Sequence, residues 1–319
     1  MTDWPNHTSA WSEWRGAMSG SRMHHGWILA GKSGLGKRDF AMAAARELVA
    51  QEGIPQPVGD HSDIIELTYG PKDDKAERAA ADGKDYERAR SIRVKQIRAM
   101  QKRLNTRPTL GDRRVIIINP ADEMEVSAAN ALLKSLEEPP QGTFFVLVTH
   151  RPSRLLPTIR SRCRVLRFPI LKDAQLEAML KEAGAQGDIE TAIRAAEGSF
   201  GAAQRFAEQD LAPVAALVTD LLTKGDNIFN ARAELSRLIG ARADRVRLQA
   251  IMELAQAIAA GLARRTDNSA HRASLVEVHS DLVTLAAQAP NYNFDTGLLT
   301  LEIGTLLMRA APASAPAHG

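Results

Sequence analysis

The stretch at residues 24–49, HHGWILAGKSGLGKRDFAMAAARELV, predicts a strand, a glycine-rich loop and a helix in that order. A short apolar run ends at Gly31, and apolar side chains recur at helical spacing after the loop. Gly31, Gly36 and Lys37 match all but the last position of the phosphate-binding pattern G-x-x-x-x-G-K-[S/T]. Backbone N–H groups at the start of a helix favour an anion, and Gly34 adds backbone freedom. The stretch therefore predicts a phosphate cradle in an α/β domain.

The last position of the pattern is Arg38, where an ATPase has a magnesium-binding hydroxyl. A guanidinium has no acceptor atom and cannot ligate a cation. A later apolar run ends in Asn119 and Pro120, where an ATPase has Asp, often followed by Glu. Because phosphoryl transfer depends on a neutralising metal and a positioned water, these losses predict no useful ATP hydrolysis.

Two acidic residues, Asp122 and Glu123, follow this strand closely. We expect them to be solvated or to cap a helix that begins near Ser127. The alternative is that one of them replaces the lost acids in an active ATPase. Turnover by the purified chain would separate the two interpretations.

The whole chain is predicted to form three domains and a tail. Residues 1–169 alternate apolar runs with helical patterns, which is typical of a parallel sheet covered by helices. Residues 170–210 have three short helical patterns, and residues 211–311 have longer amphipathic ones. The tail at residues 312–319 is proline-rich and predicts disorder.

The segment before the cradle contains Trp4, Trp11 and Trp14 at partly helical spacing. Large aromatic side chains contribute mainly by burial. We therefore expect this segment to pack onto the first domain.

The bulk composition is that of an ordinary globular protein, with 319 residues, 44% hydrophobic and 25% charged, and a net charge of +3. This mild positive charge permits nucleic-acid contact without arguing for it. Cys163 is the single cysteine, which excludes an internal disulfide and a multi-thiolate zinc site. No leader pattern and no apolar run of membrane-spanning length is found, so we expect a cytoplasmic protein with no membrane partner.

Two segments carry a family resemblance: NALLKSLEEPP at residues 130–140 and TIRSRC at residues 158–163. Together with the cradle, they resemble the clamp-loader branch of the AAA+ superfamily over residues 20–205. The resemblance implies an AAA+ P-loop domain, followed by a small helical lid and an all-α collar that serves oligomerisation. The C-terminal third is similar only in length and helical character.

The resemblance also implies roles for individual residues. Arg162 would be an arginine finger that projects into the ATP site of a neighbouring subunit and stabilises the transition state there. Ser161 and Cys163 would support its turn, with Cys163 a small buried side chain rather than a nucleophile. Thr149 matches the position that senses the γ-phosphate, although a hydroxyl bonded to nearby backbone is an equally good interpretation.

Two departures from the family agree with a subunit that does not hydrolyse ATP. Motor subunits carry an Arg after the sequence GSL in their lid, and Gly201 stands at that place here. Many relatives have a four-cysteine zinc module after the first helix, whereas residues 53–60 are GIPQPVGD. Zinc and other metals are therefore not expected, and ATP or ADP at the cradle would be bound without hydrolysis.

The function implied by the resemblance is that of a stator in a bacterial DNA polymerase III clamp loader. Its partners would be the gamma/tau motor subunits and the delta subunit and, through the complex, the beta sliding clamp and primed DNA. A plain DNA-binding module is an alternative of another class, because one predicted helix has a basic face that could contact phosphates. That face consists of Arg93, Lys95, Arg98, Lys102 and Arg103.

Overall fold

The computed structural model describes residues 4–20, 23–226, 228–240, 245–288 and 296–311. The chain divides into two compact units, Met1–Ile170 and Leu171–Gly319. A separation of lid and collar at residue 210 stays a prediction, and the predicted tail lies outside the described residues.

A five-stranded parallel sheet forms the centre of the first unit, with the order β2-β3-β4-β1-β5. Its strands are β1 (Gly26–Ala30), β2 (Ile64–Leu67), β3 (Arg114–Ile118), β4 (Thr143–Thr149) and β5 (Arg164–Arg167). Every residue of β3 is buried, as the run of β-branched side chains predicts for a central strand. In this order, the carboxyl ends of β1, β3 and β4 meet at one edge of the sheet.

Helices cover both faces of this sheet. They are α1 (Thr8–Met18), α2 (Lys37–Val49), α3 (Asp74–Ala81), α4 (Val94–Leu104), α5 (Val126–Glu137) and α6 (Pro157–Arg160). One apolar cluster joins Trp27 and Ile117 to α1 and α2, and another joins Ile28 and Ile116 to α4 and α5. Alternate side chains of each strand therefore enter opposite cores, which confirms the predicted α/β class.

The second unit is helical throughout the residues described. Its helices are α7 (Asp173–Glu182), α8 (Ile189–Ala196), α9 (Phe200–Glu208), α10 (Ala212–Lys224), α11 (Asn230–Ile239), α12 (Arg245–Arg265), α13 (Ser269–Gln288) and α14 (Thr296–Met308). One segment, Val246–Arg265, is long and apolar enough to cross a membrane by length and composition alone. Its side chains Ile251, Leu254 and Ala255 are buried in the helical core, as in the core helix of a globular unit.

The N-terminal segment packs onto the first unit, as its tryptophans predict. Trp14 is 0% exposed, and its ring centroid lies 5.2 Å from that of Trp27. Trp11 packs on Phe40 of α2 with a centroid distance of 4.4 Å. The segment thus forms part of the core on the cradle side of the sheet.

Candidate functional site

The predicted cradle connects the end of β1 to the first turn of α2. Gly34 and Gly36 both have positive φ values, 74° and 70°, and Gly36 is the residue before the helix begins. A Cβ atom at Gly36 would lie 2.2 Å from an indole carbon of Trp4. Both the positive φ and this close contact therefore require glycine at position 36. Gly31 also approaches a neighbour closely, since its Cβ would lie 2.6 Å from the Phe168 carbonyl oxygen. The loop has the predicted conformation, and the N-terminal segment lies against it.

Lys37 is buried at the start of α2, with 3% of its surface exposed. Its ammonium donates hydrogen bonds to the carbonyl oxygen of Gly31, at 2.7 Å, and to that of Lys32. Burial lowers the pKa of Lys37 to about 8, against the raising effect of the Asp122 carboxylate. The lysine therefore stabilises its own loop with two of its three N–H groups. Burial of the charged ammonium costs free energy, because it removes the charge from water.

The lowered pKa of Lys37 predicts how the free energy of unfolding depends on pH. The unfolded-state pKa of a lysine is near 10.5, so between pH 8 and 10.5 the unfolded chain binds more protons than the folded one. Stability contributed by Lys37 therefore rises with pH in this window. Relative to Lys37→Met, the wild type should gain about 2 kcal/mol in free energy of unfolding between pH 7 and about pH 9.5.

Urea unfolding of both proteins at several pH values measures this difference, because the titrating groups that do not interact with Lys37 are shared and cancel. A Lys72→Met variant is the matched control, since Lys72 forms only an exposed ion pair with Glu87. Between these pH values, wild type should gain more stability relative to Lys37→Met than relative to Lys72→Met. If the two gains are equal, the low pKa of Lys37 is contradicted.

The magnesium position of the loop is occupied by an internal ion pair. Arg38 donates Nε–H and Nη2–H bonds to the two carboxylate oxygens of Glu66 in β2, at 2.7 and 2.6 Å. Asn119, at the end of β3, donates to the same carboxylate at 3.4 Å. Of these groups only the Glu66 carboxylate carries an anionic oxygen, and the Arg38 guanidinium already neutralises it. These three residues therefore do not fit a magnesium ion.

The expectation for Asp122 and Glu123 is wrong. Asp122 is 8% exposed, and its Oδ1 atom accepts a hydrogen bond from the backbone N–H of His150 at 2.9 Å. Glu123 accepts a hydrogen bond from the Tyr69 hydroxyl, and α5 begins after Glu125 instead. A single 3₁₀ turn, Ala121–Glu123, turns the chain inward directly after the strand.

Asp122, His150 and Lys37 form a buried polar group beside the loop. The Asp122 Oδ2 and His150 Nδ1 atoms are buried and have no hydrogen-bond partner among the described residues. Burial and the positive charge of Lys37 lower the pKa of His150 to about 4, so the imidazole is neutral at physiological pH. The Asp122 carboxylate is therefore the compensating charge for the buried ammonium.

Thr149 ends β4 directly beside the end of β1, where it pairs in register with Ala30. It is fully buried, and its hydroxyl accepts a hydrogen bond from the backbone N–H of Arg151 at 3.2 Å. Its carbonyl oxygen accepts from the N–H of Gly31. The hydroxyl thus serves the local turn, in agreement with the second of the two interpretations.

Arg162 lies apart from the cradle, on the turn between α6 and β5. Its Nη2 atom lies 2.6 Å from an Oε1 atom of Glu137, the last residue of α5, and Nη1 donates to the Thr158 carbonyl at 2.9 Å. The Arg162 side chain is 35% exposed, so the guanidinium reaches the surface. Ser161 donates its hydroxyl to the same Thr158 carbonyl at 3.1 Å.

Cys163 is half-buried behind this turn and packs against the apolar cluster under α5. Burial raises the pKa of its thiol to about 12, which keeps it protonated. A Cβ atom at Gly26 would lie 3.0 Å from both the Cys163 sulfur and the Arg162 carbonyl oxygen. The start of β1 therefore approaches the turn closely.

The basic face of α4 is partly neutralised within the unit. Lys95 pairs with Glu77 at 2.7 Å, Arg93 lies 3.9 Å from Glu125, and Arg103 donates to a backbone carbonyl. These contacts reduce the charge that this face presents to solvent, and nothing in them favours a DNA-binding module.

The strand order, the loop between β1 and α2 and the helix-covered parallel sheet define a P-loop protein of the AAA+ class. The family model described as "DNA polymerase III, delta subunit" matches residues 6–172, more than half of the chain. The chain belongs to this family.

Curated relatives agree with this assignment. The DNA polymerase III subunit delta' of Pseudomonas aeruginosa is 36% identical over 50% of this chain and 47% of its own length. The subunit delta' of Escherichia coli is 32% identical over 59% of this chain and 56% of its own. The subunit tau of Escherichia coli is 31% identical over 61% of this chain and 30% of its own. The chain thus spans about half the length of the delta' relatives that it matches.

The sequence did not predict a role for Glu137, and it offered Asp122 only as an alternative, a replacement acid in an active ATPase. Glu137 lies inside the quoted LEEPP segment, but no pattern distinguishes it from Glu138. The inward direction of Asp122 depends on the 3₁₀ turn after Pro120, for which the sequence has no specific signal.

Proposed function

We propose that this protein is the delta' subunit of a bacterial DNA polymerase III clamp loader. It acts as a stator that does not hydrolyse ATP and donates Arg162 to the ATP site of an adjoining motor subunit. Its neighbours are the gamma/tau and delta subunits, and the assembled ring places the beta sliding clamp on primed DNA in the cytoplasm.

The observation that carries this proposal is the contrast between two cationic side chains. Arg38 is bound to Glu66 at the place of the metal ligand, so the cradle keeps the Lys37 ammonium but lacks the oxygen that would hold a magnesium ion on a transferring phosphoryl group. Arg162 is held at the surface with part of its guanidinium exposed. A chain with these properties supports hydrolysis in a neighbour and not in itself.

Nucleotide has a limited part in this proposal. Glycine-rich backbone and an ammonium at a helix start fit a phosphate group, although Trp4 packs against Gly36 and Lys37 already bonds to its own loop. Any ATP or ADP at the cradle is held without hydrolysis, because Arg38 stands where a metal ligand is needed. The loop keeps its conformation through protein contacts alone.

Reconstitution tests the proposal. The purified chain is expected to show no ATP turnover, with or without primed DNA, and to co-purify with cognate gamma/tau and delta subunits. Adding it should raise the DNA- and clamp-stimulated ATPase of those subunits and permit clamp loading. A ring that forms and loads clamps equally well without this chain would refute the stator role.

An active ATPase is the second candidate, and the burial of Asp122 beside Lys37 is the observation that favours it. A carboxylate at this place could orient a water molecule or a metal ion. Magnesium-dependent hydrolysis by the isolated chain at motor-subunit rates, abolished by Asp122→Asn, would establish this candidate. Absence of turnover leaves Asp122 as the structural counter-ion of Lys37.

A further inference from the structure

The contact between Glu137 and Arg162 joins the two segments that carry the family resemblance. Glu137 ends α5, and Arg162 follows α6, so the pair connects two elements 25 residues apart in the sequence. The side chains of Arg162 and Glu137 are 35% and 47% exposed, which places the pair at the surface of the first unit. Both partners are therefore accessible to solvent while they remain bonded.

Contacts at both terminal nitrogens fix the plane of the guanidinium. Nη2 is bound to the carboxylate, and Nη1 donates to the Thr158 carbonyl and, at 3.4 Å, to the Ser161 hydroxyl, while Nε has no partner among the described residues. An arginine side chain that is free to rotate has a large conformational entropy, which it loses when it binds a ligand. Anchors at both terminal nitrogens remove much of this freedom in advance, and they leave an unpaired N–H for an approaching anion.

We infer that Glu137 is a positioning residue for Arg162, an inference that rests on the proposed function. Its carboxylate holds the guanidinium in the orientation in which it meets the γ-phosphate of the adjoining subunit. Glu137 does not contact nucleotide itself. Its effect on hydrolysis passes through Arg162.

This role differs from that of an ion pair that merely joins α5 to the following turn. A structural ion pair affects folding or assembly and acts independently of the finger. A positioning residue lowers the rate of the chemical step, because an arginine finger acts on charge that develops in the transition state. It has no effect once the finger is removed, since residues that act as a unit are not additive.

The experiment uses the full complex reconstituted with cognate gamma/tau and delta subunits. Glu137→Gln keeps the shape of the side chain and removes its charge. Glu138→Gln is the matched control, because the Glu138 side chain is exposed and makes no hydrogen bond or ion pair with the described residues. We expect Glu137→Gln to lower the single-turnover rate constant of stimulated ATP hydrolysis at the adjoining site about two- to fivefold, as for an exposed ion pair, with the dissociation constant for ATP unchanged. Glu138→Gln should leave both constants at the wild-type value.

Two further measurements separate the interpretations. In an Arg162→Ala background, Glu137→Gln is expected to cause no additional loss, and an additive loss would overturn the inference. Higher salt should reduce the difference between wild type and Glu137→Gln, because screening weakens an exposed pair. An unchanged or increased single-turnover rate constant in Glu137→Gln would also overturn it, whereas an unchanged single-turnover rate in Arg162→Ala would refute the finger in the proposed function.

Discussion

The Arg162→Ala variant, assembled with its motor subunits, is expected to hydrolyse ATP at the adjoining site about 10³-fold more slowly than wild type. An arginine finger stabilises charge on the transferring phosphoryl group, and alanine supplies no donor in its place. The structure makes this substitution mild for the fold, because Arg162 is partly exposed and its anchors, Glu137 and Thr158, lie at the surface. The loss should therefore appear in hydrolysis and not in assembly.

Single-turnover hydrolysis by the reconstituted ring measures this effect, since the other sites of the ring would mask it in the steady-state rate. Gel filtration verifies that the variant assembles. Arg160→Ala is the matched control, because Arg160 is exposed on the same turn and its removal changes the charge equally. Equal hydrolysis by the wild-type and Arg162→Ala rings at every site would refute donation in trans.

The second large effect concerns stability, where Trp14→Ala is expected to lower the free energy of unfolding of the first unit by about 3–5 kcal/mol. Trp14 is fully buried between α1 and the sheet, with ring contacts to Trp27 and to Phe40 at centroid distances of 5.2 and 6.4 Å. Alanine would leave a cavity between α1, β1 and α2. Urea unfolding followed by circular dichroism measures the change without depending on tryptophan emission.

Trp14→Phe is the control for this prediction. The Nε1–H group of Trp14 is buried without a hydrogen-bond partner among the described residues, so phenylalanine removes an unsatisfied donor while it keeps most of the apolar contact. Trp14→Phe should lower the free energy of unfolding by less than half as much as Trp14→Ala does. A change below about 1 kcal/mol in Trp14→Ala would show that the N-terminal segment is not part of the core.

The position of Asp122 shows where the sequence was insufficient. Spacing along the chain predicted a solvated or capping residue, because nothing after Pro120 indicates a 3₁₀ turn. The turn places Asp122 under His150, whose backbone N–H lies 28 residues further along the chain. The spacing of apolar residues along the sequence identifies which face of a helix or strand is buried. It does not identify which polar groups of different elements come into contact.

Residue chemistry alone determined the central features of this protein. The strand–loop–helix order follows from apolar spacing and glycine positions, and Arg38 cannot ligate a metal in any conformation because it has no acceptor atom. Tertiary structure decided that Glu66 neutralises Arg38, that Asp122 faces Lys37 and that Glu137 anchors Arg162. These contacts join side chains from separate elements, and only the packing of the sheet and its helices brings such residues within bonding distance.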